Sequence, residues 1–471
     1  NLLDKRGHIS KRSYEGWYSS VDECFYDDYE VIDHTTTNGE QTKTKSLVSK
    51  ISEENYAFDL SRFYEQIRNW ANQPGVIYQS HLISYIDDFI SKDSAAQISI
   101  SRPISRCSWG IPVPNDNSQT IYVWFDALVN YLTAVGYPKQ IASWPPTIQI
   151  LGIDIFKFHA IYWPAFLLAA DLPLPKKLLV HGHWLSGRRK MSKSLGNVFC
   201  PLKTAEITSV DGLRYFLLKQ IPYEHGGWLI FYFQISTYVD FCMNELMTNK
   251  DGPPMSKPPP FWVQKKNIKI IQIINIYNRD DSDDFSLEKA VTLINAYLVN
   301  DLGNLLQRSI NPRLNPSKHY PIRTDTNELL AHFDDEMSKA TAKQLIEKLE
   351  TLPEIATEHY DNQNIHRVLD LLVELVQLAN LLFQQYEPWK IINAQKKVDS
   401  ILFITYETVR LTAIYLQPVT PDFSDRLLSI LGIQHSDRGL EFARFMCSRK
   451  DSGTISLEKN EAVFPRIVLN K

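Results

Sequence analysis

The chain has 471 residues, with 50 Lys and Arg against 54 Asp and Glu, a formal charge of −4. At roughly 150 residues per domain, about three domains fit this length. Hydrophobic residues at 44% and charged residues at 22% exclude a mostly disordered chain, a collagen-like repeat and a single small stapled module. The charge argues against general coating of nucleic acid, but not against a local basic face, because only the contact surface displaces counterions.

The five cysteines, Cys24, Cys107, Cys200, Cys242 and Cys447, form no CxxC pair, which argues against structural zinc. Their odd number and wide spacing fit a reducing compartment. No apolar run reaches 18 residues without charge or proline, so no membrane span is predicted. The chain starts at Asn1 rather than Met, and no cationic, apolar signal segment follows, which predicts a truncated or processed start.

In chain order, residues 1–97 mix polar turns with helical stretches, apolar residues recurring at helical intervals over 58–67 and 82–90. Residues 35–50 are polar and predict a surface loop. Residues 98–182 carry short strand-like runs at 98–101, 120–125, 148–151 and 178–180, and a long apolar stretch at 155–170 suited to a helix against a sheet. That alternation predicts an α/β domain with a mostly parallel sheet. From Leu287 onward the signal is helical. Ile365, Val368, Leu369, Leu372, Leu375, Val376, Ala379, Leu382 and Phe383 define one helix face. Residues 398–416 predict another long helix, closed by Pro418 and Pro421, and together these predict a helix bundle. Residues 227–283 fit neither neighbour: they hold the runs Gly252-Pro253-Pro254 and Pro258-Pro259-Pro260 and an Ile- and Asn-rich stretch without a partner strand.

Lys190-Met191-Ser192-Lys193-Ser194 follows the strand-like run ending at His181 and lies between Gly187 and Gly196. Two lysines separated by small hydroxyl residues on a glycine-flanked loop suit closure over a polyphosphate, with serine hydroxyls and backbone N–H groups as further donors. A bare Lys-x-x-Lys pair reads most simply as a solvated basic turn; the five-residue string after a strand is far more specific.

This string resembles the KMSKS signature of the class I aminoacyl-tRNA synthetases, and its flanks, His181-Gly182-His183-Trp184-Leu185 and Leu195-Gly196-Asn197-Val198, resemble the methionyl branch of bacterial and organellar type. The likeness extends in order through Ser52-Glu53-Glu54-Asn55-Tyr56, Trp109-Gly110-Ile111-Pro112, Tyr122-Val123-Trp124-Phe125-Asp126-Ala127 and Phe158-His159-Ala160-Ile161-Tyr162-Trp163. It continues through Asp301-Leu302-Gly303-Asn304-Leu305 and Glu387-Pro388-Trp389, omitting only 227–283. It implies an α/β plus all-α chain: a partial Rossmann-like parallel-sheet catalytic domain followed by an α-helical bundle that binds the anticodon. The implied segments are a connective-peptide region at 1–97, the C-terminal half of the nucleotide-binding domain at 98–182, the lysine loop and stem-contact region at 183–286 with 227–283 inserted, and the helical domain at 287–471.

The resemblance implies activation of methionine with ATP and transfer to tRNA(Met), a reaction in which the protein chiefly positions reactants and stabilises charge on the phosphates. Lys190 and Lys193 are then expected to hold the leaving pyrophosphate, with Ser192 adding to the ATP site. Gly152 and Asp154 match the family's GKD segment, Ile153 replacing the lysine; Asp154 is expected at the ATP ribose, or as a helix N-cap, or both. Trp124, Ala127, Tyr131, Ile155 and His159 are expected to line a methionine pocket, where aromatic walls suit a polarisable thioether and a His or Tyr donor would contact the sulfur. Read alone, Trp124 and Tyr131 are core aromatics and His159 a satisfied buried histidine. Arg102 matches an arginine of the active-site rim, or else makes a surface ion pair. Asn304 and Arg308, four apart on one helix face, and Trp389 are expected to read the anticodon; alternatively Pro388-Trp389 is a helix stop with a packing residue.

The family's HIGH tetrapeptide is not found in the sequence, Gly7-His8-Ile9-Ser10 being a partial look-alike, so the chain is expected to begin inside the connective peptide and to lack the HIGH-containing half. Such a fragment is expected to show no methionine-dependent ATP–pyrophosphate exchange, and a catalytically inactive tRNA-binding remnant or regulatory paralogue is the alternative reading. Residues 227–283 are expected to be an unspliced intron read through, or a lineage-specific insertion. Lone Cys24 places the chain with the zinc-free relatives; Mg2+ is expected with ATP, and a monomer in the mitochondrial matrix completes the reading.

Overall fold

The structure, a computed structural model, describes residues 2–19, 24–26, 42–43, 46–77, 79, 81–91, 96–139, 141–186, 189–191, 196–220, 284–322, 325–391, 394–447 and 463–469. Residues 227–283 lie outside them. Among the described residues the chain forms two compact units, 2–183 and 184 onward.

The first unit opens with α1 (Leu2–Lys5) and β1 (Ile9–Ser19), so the segment Gly7-His8-Ile9-Ser10 leads from a helix into a strand. After β2 (Cys24–Tyr26), β3 (Thr42–Lys43) and β4 (Ser46–Leu47), β5 (Ser49–Asp59) pairs antiparallel with β1 from Ile9↔Phe58 to Tyr18↔Ser49. Thus part of the stretch expected as a loop at 35–50 is extended and paired. With β6 (Gln97–Ser99) these make a four-stranded sheet ordered β2-β1-β5-β6. Only the inner end of β5 is buried, at Asn55, Ala57 and Phe58. Its outer end carries charges in water, where Lys50 meets Glu15 at 3.2 Å.

Phe58 belongs to β5, so the helix expected from 58 starts later: a 3₁₀ turn at Ser61–Phe63 leads into α2 (Tyr64–Ala71). α3 (His81–Ser91) buries Leu82, Ile86, Phe89 and Ile90, the expected single face. The runs at 98–101 and 120–125 lie in antiparallel rather than parallel pairings. β7 (Ser101–Pro103), β8 (Pro112–Val113) and β9 (Asp116–Ile121) form a sheet ordered β7-β9-β8. The chain then turns into α4 (Val123–Ala134), because a short apolar run does not distinguish strand from helix.

The parallel part is narrow. β10 (Gln149–Gly152) pairs with β11 (Leu178–His181), and Ile77 bridges to Leu178 on the other side, also parallel. Between them, a 3₁₀ turn at Ile153–Ile155, a π-helical stretch at Phe158–Tyr162 and α5 (Trp163–Ala169) form the expected apolar helix over the sheet. One core, including Phe58, Ile86, Leu128, Leu151, Trp163 and Phe166, runs through all of this unit.

The second unit begins with a hairpin of β12 (Leu185–Ser186) and β13 (Arg189–Lys190), to which Asp284 adds a parallel bridge at Leu185. Then come α6 (Pro201–Thr208), α7 (Val210–Lys219), α8 (Leu287–Ile294), a π-helical run at Asn295–Gly303 and α9 (Asn304–Ser309). α10 (Thr326–Ala331), α11 (Glu336–Asp361), α12 (Ile365–Tyr386), α13 (Gln395–Leu416) and α14 (Pro421–Ile430) complete the bundle. Of the nine apolar residues assigned to one face of α12, all but Ile365 are buried. α13 is buried all round, as the central helix of a bundle must be. Its two charged interior residues pair: Arg410 meets Glu407 at 2.7 Å, and Tyr320 and the Phe442 and Arg444 carbonyls satisfy the rest of the pair.

Candidate functional site

In the first unit α4 and the 153–163 segment lie side by side and carry most of the residues expected in the methionine pocket. Trp124, Ala127 and Tyr131 are spaced three and four apart along α4, so they share one face. Ile155 and His159 are four apart on the facing segment. Trp124 is half-buried, its ring 5.5 Å from Phe158, 5.4 Å from Tyr162 and 6.1 Å from Phe166, while Ala127 and Ile155 are exposed. Further along the seam, Tyr131 and His159 meet through a hydrogen bond of 2.9 Å.

The two histidine nitrogens have different partners. Nδ1 lies 2.9 Å from the Ile155 carbonyl, which accepts only, so Nδ1 carries the proton. Nε2 is then the acceptor, and the Tyr131 hydroxyl donates to it. Burial pushes the His159 pKa down, against a smaller raising effect of the Ile155 carbonyl, and burial pushes the Tyr131 phenol up. Both stay neutral at pH 7, and both hydrogens are committed within the protein. The expectation that one of them donates to a thioether sulfur is therefore corrected: what this pair offers a ligand is acceptor lone pairs on the phenol and a rigid wall.

At the carboxyl ends of the parallel strands, Gly152 stands opposite His181 in the β10–β11 register. A Cβ on Gly152 would lie 2.9 Å from Asp154 Oδ1, 3.7 Å from His181 Cε1 and 3.8 Å from His183 Cε1, so glycine keeps this corner open. Asp154 Oδ1 is 3.6 Å from His183 Nε2. Asp154 lies inside the 3₁₀ turn whose N-cap position is Gly152, and no side chain caps that turn; the N-cap alternative for Asp154 is thus set aside. His181 and His183 enter the sequence reading only as flanks of the lysine string; their place here follows from strand register. Arg102, on β7, is 3% exposed, with its guanidinium 5.0 Å above the Tyr122 ring. That burial sets aside the surface ion-pair alternative.

In the second unit Lys190 ends β13, opposite Leu185, and Met191 packs partly buried against the helical core. Ser192 and Lys193 lie outside the described residues. On the bundle, Asn304 and Arg308 are both exposed on α9. Arg308 lies 5.4 Å over the buried ring of Phe383, and Trp389, 51% exposed, lies 6.1 Å from the same ring. Glu387, at φ 45°, ends α12, with Pro388 and Trp389 in a 3₁₀ turn after it. The helix-stop reading and an outward-facing indole thus coexist. Among the described residues no group of three or more His, Cys, Asp and Glu side chains is placed to hold a metal ion, and no helix is long and apolar enough to cross a membrane.

Residues 1–231 match the family model described as tRNA synthetases class I (M). The mitochondrial methionine–tRNA ligase of Xenopus laevis is 34% identical over 480 residues, covering 99% of this chain and 74% of that protein. The Homo sapiens mitochondrial methionine–tRNA ligase is 36% identical over 458 residues, covering 93% and 67%. Among solved structures, Mycobacterium tuberculosis methionyl-tRNA synthetase bound by methionyl-adenylate matches with a TM-score of 0.74 and 28% identity, over 98% of this chain and 79% of that one.

Proposed function

We infer the roles of individual residues from one premise: this chain belongs to the methionine–tRNA ligase family of class I tRNA synthetases. Its reaction is the activation of methionine with ATP and the charging of tRNA with the activated amino acid. Trp124, Ala127, Tyr131, Ile155 and His159 form the methionine wall. The observation that carries this is the chain of hydrogen bonds Tyr131 to His159 to the Ile155 carbonyl, which fixes two polar groups beside an aromatic cluster. A fixed wall holds the carboxylate of methionine still for attack on the α-phosphate; the carboxylate oxygen bonds to that phosphorus as its bond to pyrophosphate breaks, and positioning lowers this barrier with no covalent bond to the protein. Asp154 accepts from the ribose hydroxyls while Gly152 leaves room for them. Arg102 places a buried positive charge within the same unit. Lys190 and Lys193 carry the charge for the departing pyrophosphate, and Ser192 adds a donor.

Asn304, Arg308 and Trp389 read the anticodon, an unpaired base stacking on the indole while Asn and Arg bond base edges. Residues 1–97 serve as the connective region, 98–182 as the nucleotide-binding half, 183–286 as the lysine loop and stem contact, and 287–471 as the anticodon domain. Mg2+ arrives with the triphosphate. A zinc-free connective region is supported by Cys24, which has no neighbouring cysteine in the sequence. The mitochondrial compartment is carried over from the named relatives, with the matrix and a monomeric state as the finer reading.

Titration calorimetry of methionine and ATP binding tests the pocket. Trp124→Ala is expected to raise the Kd for methionine at least about tenfold, in line with loss of a half-buried aromatic wall. An unchanged Kd removes Trp124 from the pocket, and a native chain that binds tRNA but neither small substrate favours the tRNA-binding reading instead.

A further inference from the structure

Arg308 is an exposed, long side chain, and a side chain of that kind loses conformational freedom when it must meet one base edge. Here two groups on α12 already hold it. Its Nη2 donates to Asn380 Oδ1 at 2.5 Å, and its guanidinium lies over Phe383. Asn380 is itself fixed. Its Nδ2 donates to the Asp301 carbonyl at 3.1 Å and to the Val376 carbonyl at 3.0 Å. Two carbonyl partners require the amide nitrogen on that side, so the orientation is set and Oδ1 must face Arg308. The Asp301 carbonyl comes from the π-helical run that ends at Gly303, one residue before Asn304. A Cβ on Gly303 would come within 2.9 Å of the Leu298 carbonyl, so glycine is needed for that run to close where it does. Asn380 therefore ties the backbone just ahead of the Asn304–Arg308 face to the guanidinium on it.

We propose that Asn380 is a positioning residue for anticodon recognition, holding the Arg308 guanidinium in the orientation in which it meets a base. This deepens, and rests on, the assignment of Arg308 to the anticodon. Asn380 touches no nucleotide; it removes rotamers that Arg308 would otherwise have to give up on binding.

The test is fluorescence anisotropy of the full chain with a labelled methionine tRNA transcript and with the same transcript carrying one exchanged anticodon base. Native chain, Arg308→Ala, Asn380→Ala and the Arg308→Ala/Asn380→Ala double variant are compared. Asn380→Ala is expected to weaken methionine tRNA binding about tenfold and to reduce discrimination between the transcripts, as loss of one oriented base contact does. In the Arg308→Ala background the second substitution is expected to do nothing more, since Asn380 acts through Arg308. A merely structural role predicts additive losses in the double variant, and additivity overturns the proposal. If Asn380→Ala does not fold, the similarly sized Asn380→Leu replaces it; lacking the Oδ1 acceptor that holds Arg308, it is expected to lose affinity and discrimination as well. A folded variant of either kind that binds like the native chain overturns the proposal. A loss in Arg308→Ala with none in Asn380→Ala sinks this inference alone, whereas no loss in Arg308→Ala sinks the anticodon reading along with it.

Discussion

Two polar pairs show how the two units treat groups that cannot be left bare in a core. Tyr131 and His159 are neutral, linked by one bond of 2.9 Å, and stand beside exposed Ala127 and Ile155. Glu407 and Arg410 are charged and almost wholly buried, and they engage Tyr320, the Met446 N–H and the Phe442 and Arg444 carbonyls. In the proposed methionine pocket the first pair keeps a surface toward the ligand. The second turns every polar atom inward and ties residues 442–446 to α13. Removing a member should therefore affect chemistry in the first case and stability in the second.

The largest expected effect is on the bundle. Arg410→Ala leaves Glu407 charged, buried and without its counter-ion, and breaking one side of such a pair costs about 3–5 kcal/mol. Chemical denaturation followed by helical circular dichroism should show that loss. A loss under about 1 kcal/mol would mean that water reaches the pair, and the contrast with Tyr131–His159 would then fail.

Tyr131→Phe is the sharper counterpart. It deletes one hydroxyl, leaves His159 Nε2 without its donor, and keeps the ring against Trp163. The Kd for methionine should rise roughly tenfold, or about 1.4 kcal/mol, with melting little changed. A large drop in melting temperature with an unaltered Kd would make this pair a second structural staple.

A smaller effect is expected at the strand ends. Gly152→Ala would push its methyl against Asp154 Oδ1, the end of a short side chain that is able to swing away. Folding should survive, while the Kd for ATP should rise by a factor of about three to ten from a displaced carboxylate. The Kd for methionine should stay unchanged, and a parallel rise in both would show that the two positions are not separable.

The same contrast explains what the sequence made legible. The α12 stripe was readable because a bundle helix repeats its apolar face every three or four residues, and eight of nine assigned positions are buried. The long β1–β5 pairing was not readable: the outer residues of β5 are exposed or half-exposed on both faces, so no alternation marks the strand. The assignment of Trp124, Tyr131, Ile155 and His159 to the proposed pocket came from motif resemblance, and helix spacing alone would have left them as core. His183 beside Asp154, and Asn380 behind Arg308, were invisible because both depend on which elements become neighbours, and local periodicity holds no record of that.

The smallest effect separates the two pairs by pH. His159 has its pKa held below 6.5 in the folded chain by burial, only partly offset by the Ile155 carbonyl, and returns to about 6.5 on unfolding. Between the lowered folded value and 6.5 the unfolded chain binds the extra proton and the folded chain does not. Stability of the first unit thus rises with pH through that window, is flat above it, and falls on acidification. Protonation would also place a hydrogen on Nε2, facing the Tyr131 hydroxyl that now donates to it, so methionine affinity should weaken over the same window. His8 is depressed as well, by burial and by Arg62 and Arg6, and contributes a slope of the same sign. His159→Gln isolates the pair. Its stability should depend less on pH than that of the native chain as pH falls below 6.5, by urea denaturation at each pH. Equal slopes would assign the effect to His8 and leave Tyr131–His159 without a titrating member.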